Sequence, residues 1–105
     1  MTESEFIQLI EDFFAELEEA IEDADLPLEV ECGGGIMTIT FNNGGQMVIN
    51  RHTPMHQLWL AGKAQGYHFD YQDGQWICNR SQRDFFDVFN ESATQMAGEP
   101  INIRF

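Results

Sequence analysis

Clustered carboxylates are the part of this sequence most able to do chemistry. The chain holds eighteen Asp and Glu residues against five Lys and Arg, a formal net charge of −13. Twelve of the eighteen lie between Glu3 and Glu31, and no Lys or Arg precedes Arg51. Because hard cations prefer oxygen ligands, this stretch predicts binding of ions such as Fe³⁺, Ca²⁺, Mg²⁺ or Mn²⁺. The alternative is a solvated helix face, which charge alone favours slightly.

The spacing of these carboxylates makes them repel one another. Glu18 lies four residues before Glu22, and Glu19 lies four before Asp23. Each such like-charge pair costs a helix about 0.2–0.5 kcal/mol, so a bound positive partner would relieve the repulsion. The sequence contains no EF-hand loop and no Glu-x-x-His motif of a di-iron bundle. We therefore expect any metal site here to be exposed, weak and poorly selective.

The histidines and cysteines give weaker signals. His52 and His56 lack the spacing of a helical metal pair and His68 would be a lone ligand, so surface or structural roles are favoured. Cys32 and Cys78 form no CxxC motif and follow strand patterns, which predicts small core residues. No nucleophile elbow, P-loop or acid–base constellation stands above chance. The sequence favours a binding protein over an enzyme.

The charge also limits the partners. A surface this acidic repels nucleic acid and anionic membranes, which leaves cations and basic protein patches. No apolar run reaches the roughly 20 residues needed to span a bilayer. The first residues are acidic, unlike a targeting peptide, and no cysteine framework suggests secretion, so a cytoplasmic location is expected.

Two amphipathic helices frame the sequence. Apolar residues recur with helical spacing from Phe6 onward, which predicts a helix capped by Ser4 and ending near 23–25, ahead of Pro27. A second helix is expected to begin at Ser81 and to end at Gly98.

Between the helices the apolar residues alternate, with turn signals at the glycine run 33–35, at 42–45 and at 73–74. This predicts strands at 28–32, 36–41, 46–51, 56–61, 66–70 and 75–78. We expect an α+β fold, a two-layer α-β sandwich with two helices packed on one face of a six-stranded antiparallel sheet in α-β6-α order. One hundred and five residues make one domain, 1–105.

Tryptophan positions depend on the register of these strands. Alternation places His56, Leu58 and Leu60 on one face of a strand and Trp59 on the other. If the helices cover the first face, Trp59 stands on the open face of the sheet, where an exposed indole suggests a binding hot spot. In the opposite register Trp59 is a core residue. For Trp76 we favour a structural role.

Several motifs in order make the chain resemble the frataxin family, most closely its bacterial CyaY branch. The resemblance covers essentially the whole length. It rests on the acidic helix segment 18–23, the strands 29–32, 37–41 and 48–51, and the segments 54–61, 66–70 and 76–78. Three positions depart from the family pattern: Ile7 replaces a histidine found in some bacterial members, and Pro27 and Gly33 replace carboxylates.

The resemblance implies a function as well as a fold. It implies weak binding of ferrous and ferric iron (Fe²⁺/Fe³⁺) at exposed carboxylates, where other divalent cations also fit. The matching positions are Glu18, Glu19, Glu22, Asp23, Asp25, Glu29 and Glu31. It further implies docking on the iron–sulfur cluster assembly machinery, namely a cysteine desulfurase and a scaffold protein. The partner-binding positions are Glu18, Glu19, Glu22, Asp23, Asn50, Gln57 and Trp59.

Three functional hypotheses follow. The first is an iron-binding regulator, or iron supplier, of cluster assembly that is a monomer without metal; whether iron drives the formation of oligomers stays open at this point. The second is a ferroxidase or iron-storage protein, which would need a more ordered site than exposed carboxylates provide. The third is an acidic interaction module indifferent to metal, whose partner binding would survive chelation unchanged.

Overall fold

Alternating apolar residues build a six-stranded sheet whose strands follow one another in chain order. The computed structural model describes residues 1–63 and 65–105. All neighbouring strands pair antiparallel, and one helix precedes and another follows the sheet. The elements are α1 (Glu3–Asp23), β1 (Leu28–Gly33), β2 (Ile36–Phe41), β3 (Gln46–His52), a 3₁₀ turn (Thr53–Met55), β4 (Gln57–Ala61), β5 (Gly66–Gln72), β6 (Gln75–Cys78) and α2 (Phe85–Ala97). The predicted α-β6-α sandwich is confirmed.

One face of the sheet is covered by the helices and the other is open. On the covered face alternate residues of the central strands are buried, as with Met37 and Ile39 of β2 and Leu58 and Leu60 of β4. The buried stripe of α1 packs onto this face and consists of Phe6, Ile10, Phe14, Leu17 and Ile21. None of the described helices is long and apolar enough to cross a bilayer.

Both helices begin at a residue other than the one predicted. Thr2, not Ser4, caps α1, because its hydroxyl accepts from the Glu5 N–H while the Glu5 carboxylate accepts from the Thr2 N–H. Asp84, not Ser81, caps α2 and accepts from the Asp87 N–H. The predicted end of α2 at Gly98 is confirmed, with a φ of 74° that glycine adopts easily.

Strand β4 starts one residue later than predicted. His56 has a left-handed backbone, with a φ of 50°, and closes the 3₁₀ turn, so it cannot continue a strand. Its ring still lies on the helix side, stacked on Phe6 with 4.8 Å between ring centroids. His56 therefore has a structural role, one of the two roles expected for it.

Side chains of α2 hold the C-terminal segment in place. The Asn90 amide donates to the Ile103 carbonyl and accepts from the Ile103 N–H, both at 2.8 Å. Thr94 forms an equivalent pair with Ile101, at 3.3 and 2.9 Å. Ile101 and Ile103 are thereby buried. Asn90 and Thr94 lie one helical turn apart. Each side chain forms hydrogen bonds with both backbone groups of one residue in the C-terminal segment, as the backbone of a neighbouring strand would.

Asn90→Ala should lower the free energy of unfolding by about 1–3 kcal/mol, because it leaves both backbone groups of the buried Ile103 without a partner. Urea unfolding followed by circular dichroism measures this loss. Asn79→Ala is the matched control, since the Asn79 side chain is exposed and makes no hydrogen bond within the described residues. Equal losses in the two variants would contradict the pairing role of Asn90.

Candidate functional site

The carboxylates predicted to bind metal lie along one continuous surface. They occupy the last turns of α1, the loop that follows, and the edge strand β1. We call this surface the acidic ridge: Glu18, Glu19, Glu22, Asp23, Asp25, Glu29 and Glu31. All are exposed except Glu18, which is half-buried.

Burial of neighbouring residues turns the ridge outward. Leu17 and Ile21 are 0% and 2% exposed and face the core, whereas Glu19, Glu22 and Asp23 are exposed on the opposite side of the helix. In β1 the half-buried Leu28 and Val30 alternate with exposed carboxylates. Among the described strands β1 pairs with β2 alone, so it forms one margin of the sheet, and it also contacts α1. The position of the acidic ridge therefore follows from the helical periodicity of α1 and the alternation of β1.

Electrostatically, the ridge is uncompensated. Across residues 1–63 and 65–105, the ion pairs join Arg83 with Glu91 and Arg104 with Asp84 and Asp87, and none reaches the ridge. No three His, Cys, Asp or Glu side chains in those residues are close enough to form a preformed metal cage. A cation on the ridge would thus contact one or two carboxylates and keep much of its water, which favours weak binding.

The second predicted surface is the open face of the sheet. Asn50 of β3 pairs with Trp59 of β4, and both are half-buried. The Trp59 Nε1–H donates to Gln57 Oε1 at 2.8 Å, and Gln57 Nε2 donates to Asp70 Oδ1 at 2.9 Å. Gln57 is only 6% exposed, so its amide holds the indole rather than presenting itself to solvent. The register with Trp59 on the open face is confirmed.

Two histidines enclose Trp59, an arrangement that the sequence interpretation missed. The rings of His52 and His68 stack on its two faces, with centroid distances of 3.8 and 4.1 Å and interplanar angles of 7° and 12°. The buried His52 Nδ1 has no hydrogen-bond partner among the described residues. Strand register was the available signal, because Trp59 pairs with His68 and lies diagonally from His52. Within the described residues the two rings cover the faces of the indole, which leaves its edge for contact with a partner.

The two cysteines have different environments. Cys78 is 1% exposed, as predicted, and Trp76 is likewise a core residue at 4%. Cys32 is exposed, so the prediction of a core residue was wrong. It lines an open cleft of about 230 Å³ between α1 and the β1–β2 turn. The turn consists of glycines, which have no side chains to cover the thiol.

Cys32 should react slowly with alkylating agents despite its exposure. Partial burial, and secondly the Glu18 carboxylate, raise the pKa of its thiol above the usual value, so little reactive thiolate exists at neutral pH. We expect alkylation to accelerate only as the pH rises past the ordinary thiol range. Glu18→Gln removes one cause of the raised pKa and should speed the reaction at pH 7.5.

Iodoacetamide labelling followed by mass spectrometry of the Cys32 peptide measures this rate. Glu19→Gln, on the same helix, is the control and should leave the rate unchanged. A faster reaction in both variants would show that overall charge, rather than Glu18, sets the reactivity.

Known proteins resemble this chain in sequence and in fold. A family profile described as a frataxin-like domain matches residues 1–99. A solved frataxin from Psychromonas ingrahamii, studied as a member of the CyaY protein family, is 34% identical, with a TM-score of 0.91 and 97% of each chain covered. Trimeric frataxin from the yeast Saccharomyces cerevisiae, solved in complex with ferrous iron, is 26% identical, with a TM-score of 0.72 and 86% of each chain covered.

Proposed function

The chain belongs to the frataxin family, and from this we propose that it binds iron weakly on the acidic ridge and regulates iron–sulfur cluster assembly. Its partners in this role are a cysteine desulfurase and a scaffold protein. The observation that carries the proposal is the ridge itself, seven carboxylates on one surface with no ion pair among the described residues. The similar yeast protein in complex with ferrous iron supports the choice of metal.

Iron is cargo or signal in this proposal rather than a resident cofactor. Fe²⁺ and Fe³⁺ accept carboxylate oxygens, and the ridge offers them in ones and twos along α1 and β1. Such partial coordination supports affinities in the millimolar-to-micromolar range, about −4 to −8 kcal/mol. Binding would therefore follow the free iron concentration, as a regulator requires. Other divalent cations compete for the same oxygens.

The same carboxylates serve the protein partner. A basic patch on a cysteine desulfurase complements the ridge and is drawn to it over a distance set by ionic strength. Iron on the ridge neutralises that charge, so metal and partner compete for one surface. The open face of the sheet, with Trp59 held by Gln57, is the proposed contact for the scaffold protein.

We further propose that the protein is not an enzyme, acts in the cytoplasm and is a monomer without metal. A ferroxidase would oxidise Fe²⁺ quickly at a preformed di-iron centre, and the described residues contain no such cluster of ligands. Iron-dependent oligomers remain part of the proposal because the similar yeast frataxin bound to ferrous iron is trimeric.

The test is to measure desulfurase turnover and cluster formation on the scaffold, with and without this protein, at several Fe²⁺ concentrations. We expect an iron-dependent change in rate that disappears when Glu18, Glu19, Glu22 and Asp23 are neutralised. Unchanged rates at every iron level would refute regulation. Rapid oxygen consumption on adding Fe²⁺ would favour the ferroxidase, and partner binding insensitive to chelation would favour the metal-indifferent module.

A further inference from the structure

An aromatic cleft lies away from the acidic ridge, between the first half of α1, the β5–β6 hairpin and the start of α2. Its volume is about 410 Å³, within the usual range for small-ligand sites. We call it the aromatic cleft, and its aromatic lining is Phe13, Tyr71, Trp76, Phe85, Phe86 and Phe105. The rings form a continuous series, with 5.0 Å between Tyr71 and Trp76 and 6.4 Å between Trp76 and Phe13.

One end of the aromatic cleft already holds a cation, supplied by the chain itself. The guanidinium carbon of Arg104 lies 5.4 Å from the centre of the Phe86 ring. Its nitrogens lie 2.9 Å from Asp87 and 3.4 Å from Asp84. At this end a planar cation, the Arg104 guanidinium, is thus bound by an aromatic ring and by carboxylates.

The rest of the aromatic cleft also combines carboxylates with aromatic rings, but no cation of the described residues pairs with these carboxylates. Asp12 and Glu16 lie one turn apart on α1 and line the same cleft as Tyr71 and Trp76. In the described residues neither forms an ion pair, and Asp12 accepts a single hydrogen bond, from Gln8 Nε2 at 2.9 Å. Tyr71 is 38% exposed, so its ring is accessible from solvent.

We propose that this open end binds an organic cation, a guanidinium or amidinium group on a flat apolar body. The body would lie against Tyr71 and Phe13, and the charged group would contact Asp12 and Glu16. A hydrated metal ion suits the site less, because the aromatic walls offer it no oxygen ligands. A neutral apolar ligand would leave both carboxylates unused. The charge of the rim and the aromatic walls together select this class.

Benzamidine and its neutral counterpart benzamide test the proposal, because they share shape and differ in charge. Amide chemical shifts of the ¹⁵N-labelled protein should change at Tyr71, Gly74 and Trp76 as benzamidine is added, with a dissociation constant of about a millimolar. Benzamide should cause no saturable change. The double variant Asp12→Asn with Glu16→Gln should weaken benzamidine at least about fivefold.

The control double variant, Glu3→Gln with Glu11→Gln, removes the same charge from exposed positions of α1 that do not line the aromatic cleft. It should leave benzamidine binding unchanged. Equal binding of the two compounds, or equal weakening in both variants, would overturn the proposal. So would shifts at these residues that appear on raising the protein concentration alone, because a second copy of the chain would then be the occupant. Failure here would leave iron binding on the ridge untouched.

Discussion

Glu18→Gln, Glu19→Gln and Glu22→Gln together should weaken the proposed binding to a cysteine desulfurase by about 10- to 100-fold at low salt. Each exposed charge contributes about 0.2–1 kcal/mol to an ion pair, and charges at an interface contribute more, so the three together remove about 1.5–3 kcal/mol. The loss should shrink as salt shortens the Debye length from about 30 Å at 0.01 M to about 8 Å at 0.15 M. Titration calorimetry across that range measures it.

The matched control changes the net charge by the same amount elsewhere. Glu3→Gln, Asp73→Asn and Glu99→Gln alter exposed residues outside the ridge and should cost much less affinity. The ridge variant should also unfold no more easily than the parent, because it removes the repulsion between Glu18 and Glu22. If the two triple variants bound equally well, total charge would explain the attraction and the ridge would lose its special role.

Phe85→Ala should cost the most stability of any change considered, about 3–5 kcal/mol. Phe85 is 1% exposed and connects three elements, packing on Phe13 of α1, Phe69 of β5 and Phe89 of α2 at centroid distances of 5.0, 5.4 and 5.5 Å. The free energy of unfolding of a small domain is only about 5–15 kcal/mol, so this loss would remove much of its stability. Urea unfolding measures it.

Phe105→Ala provides the comparison, because it removes the same side chain from a position that is 46% exposed. Its cost should be less than half that of Phe85→Ala, since less apolar surface is withdrawn from water. Comparable costs would mean that the C-terminal residue, rather than the start of α2, organises the aromatic contacts with α1.

The fold could be predicted from the sequence because each element has a clean periodicity. The helical stripe from Phe6 and the alternation in β1 to β6 gave the sandwich and most strand bounds. The helix starts could not be predicted as well. Each helix start offers two residues that can serve as N-cap, Thr2 or Ser4 for α1 and Ser81 or Asp84 for α2. Which of the two caps the helix depends on hydrogen bonds that form only in the folded structure.

The candidate site divides in the same way. Placement of the ridge needed only local periodicity, whereas the stacking of His52 and His68 on Trp59 depends on the register of three strands at once. The error at Cys32 has a different cause, because strand alternation gives the side of the sheet but not whether anything covers it. The hydrogen bonds between the Asn90 side chain and the Ile103 backbone could not be predicted, because no sequence pattern indicates them.

The chain order of the strands has a consequence for folding kinetics. Because every strand pairs with its sequence neighbour, the sheet forms by closing short turns, whereas α1 and α2 meet near opposite ends of the chain. We expect the sheet to dominate the transition state and the contact of Phe13 with Phe85 to form after it. Phe85→Ala should therefore accelerate unfolding far more than it slows refolding, so the lifetime of the native state depends on how the two helices join.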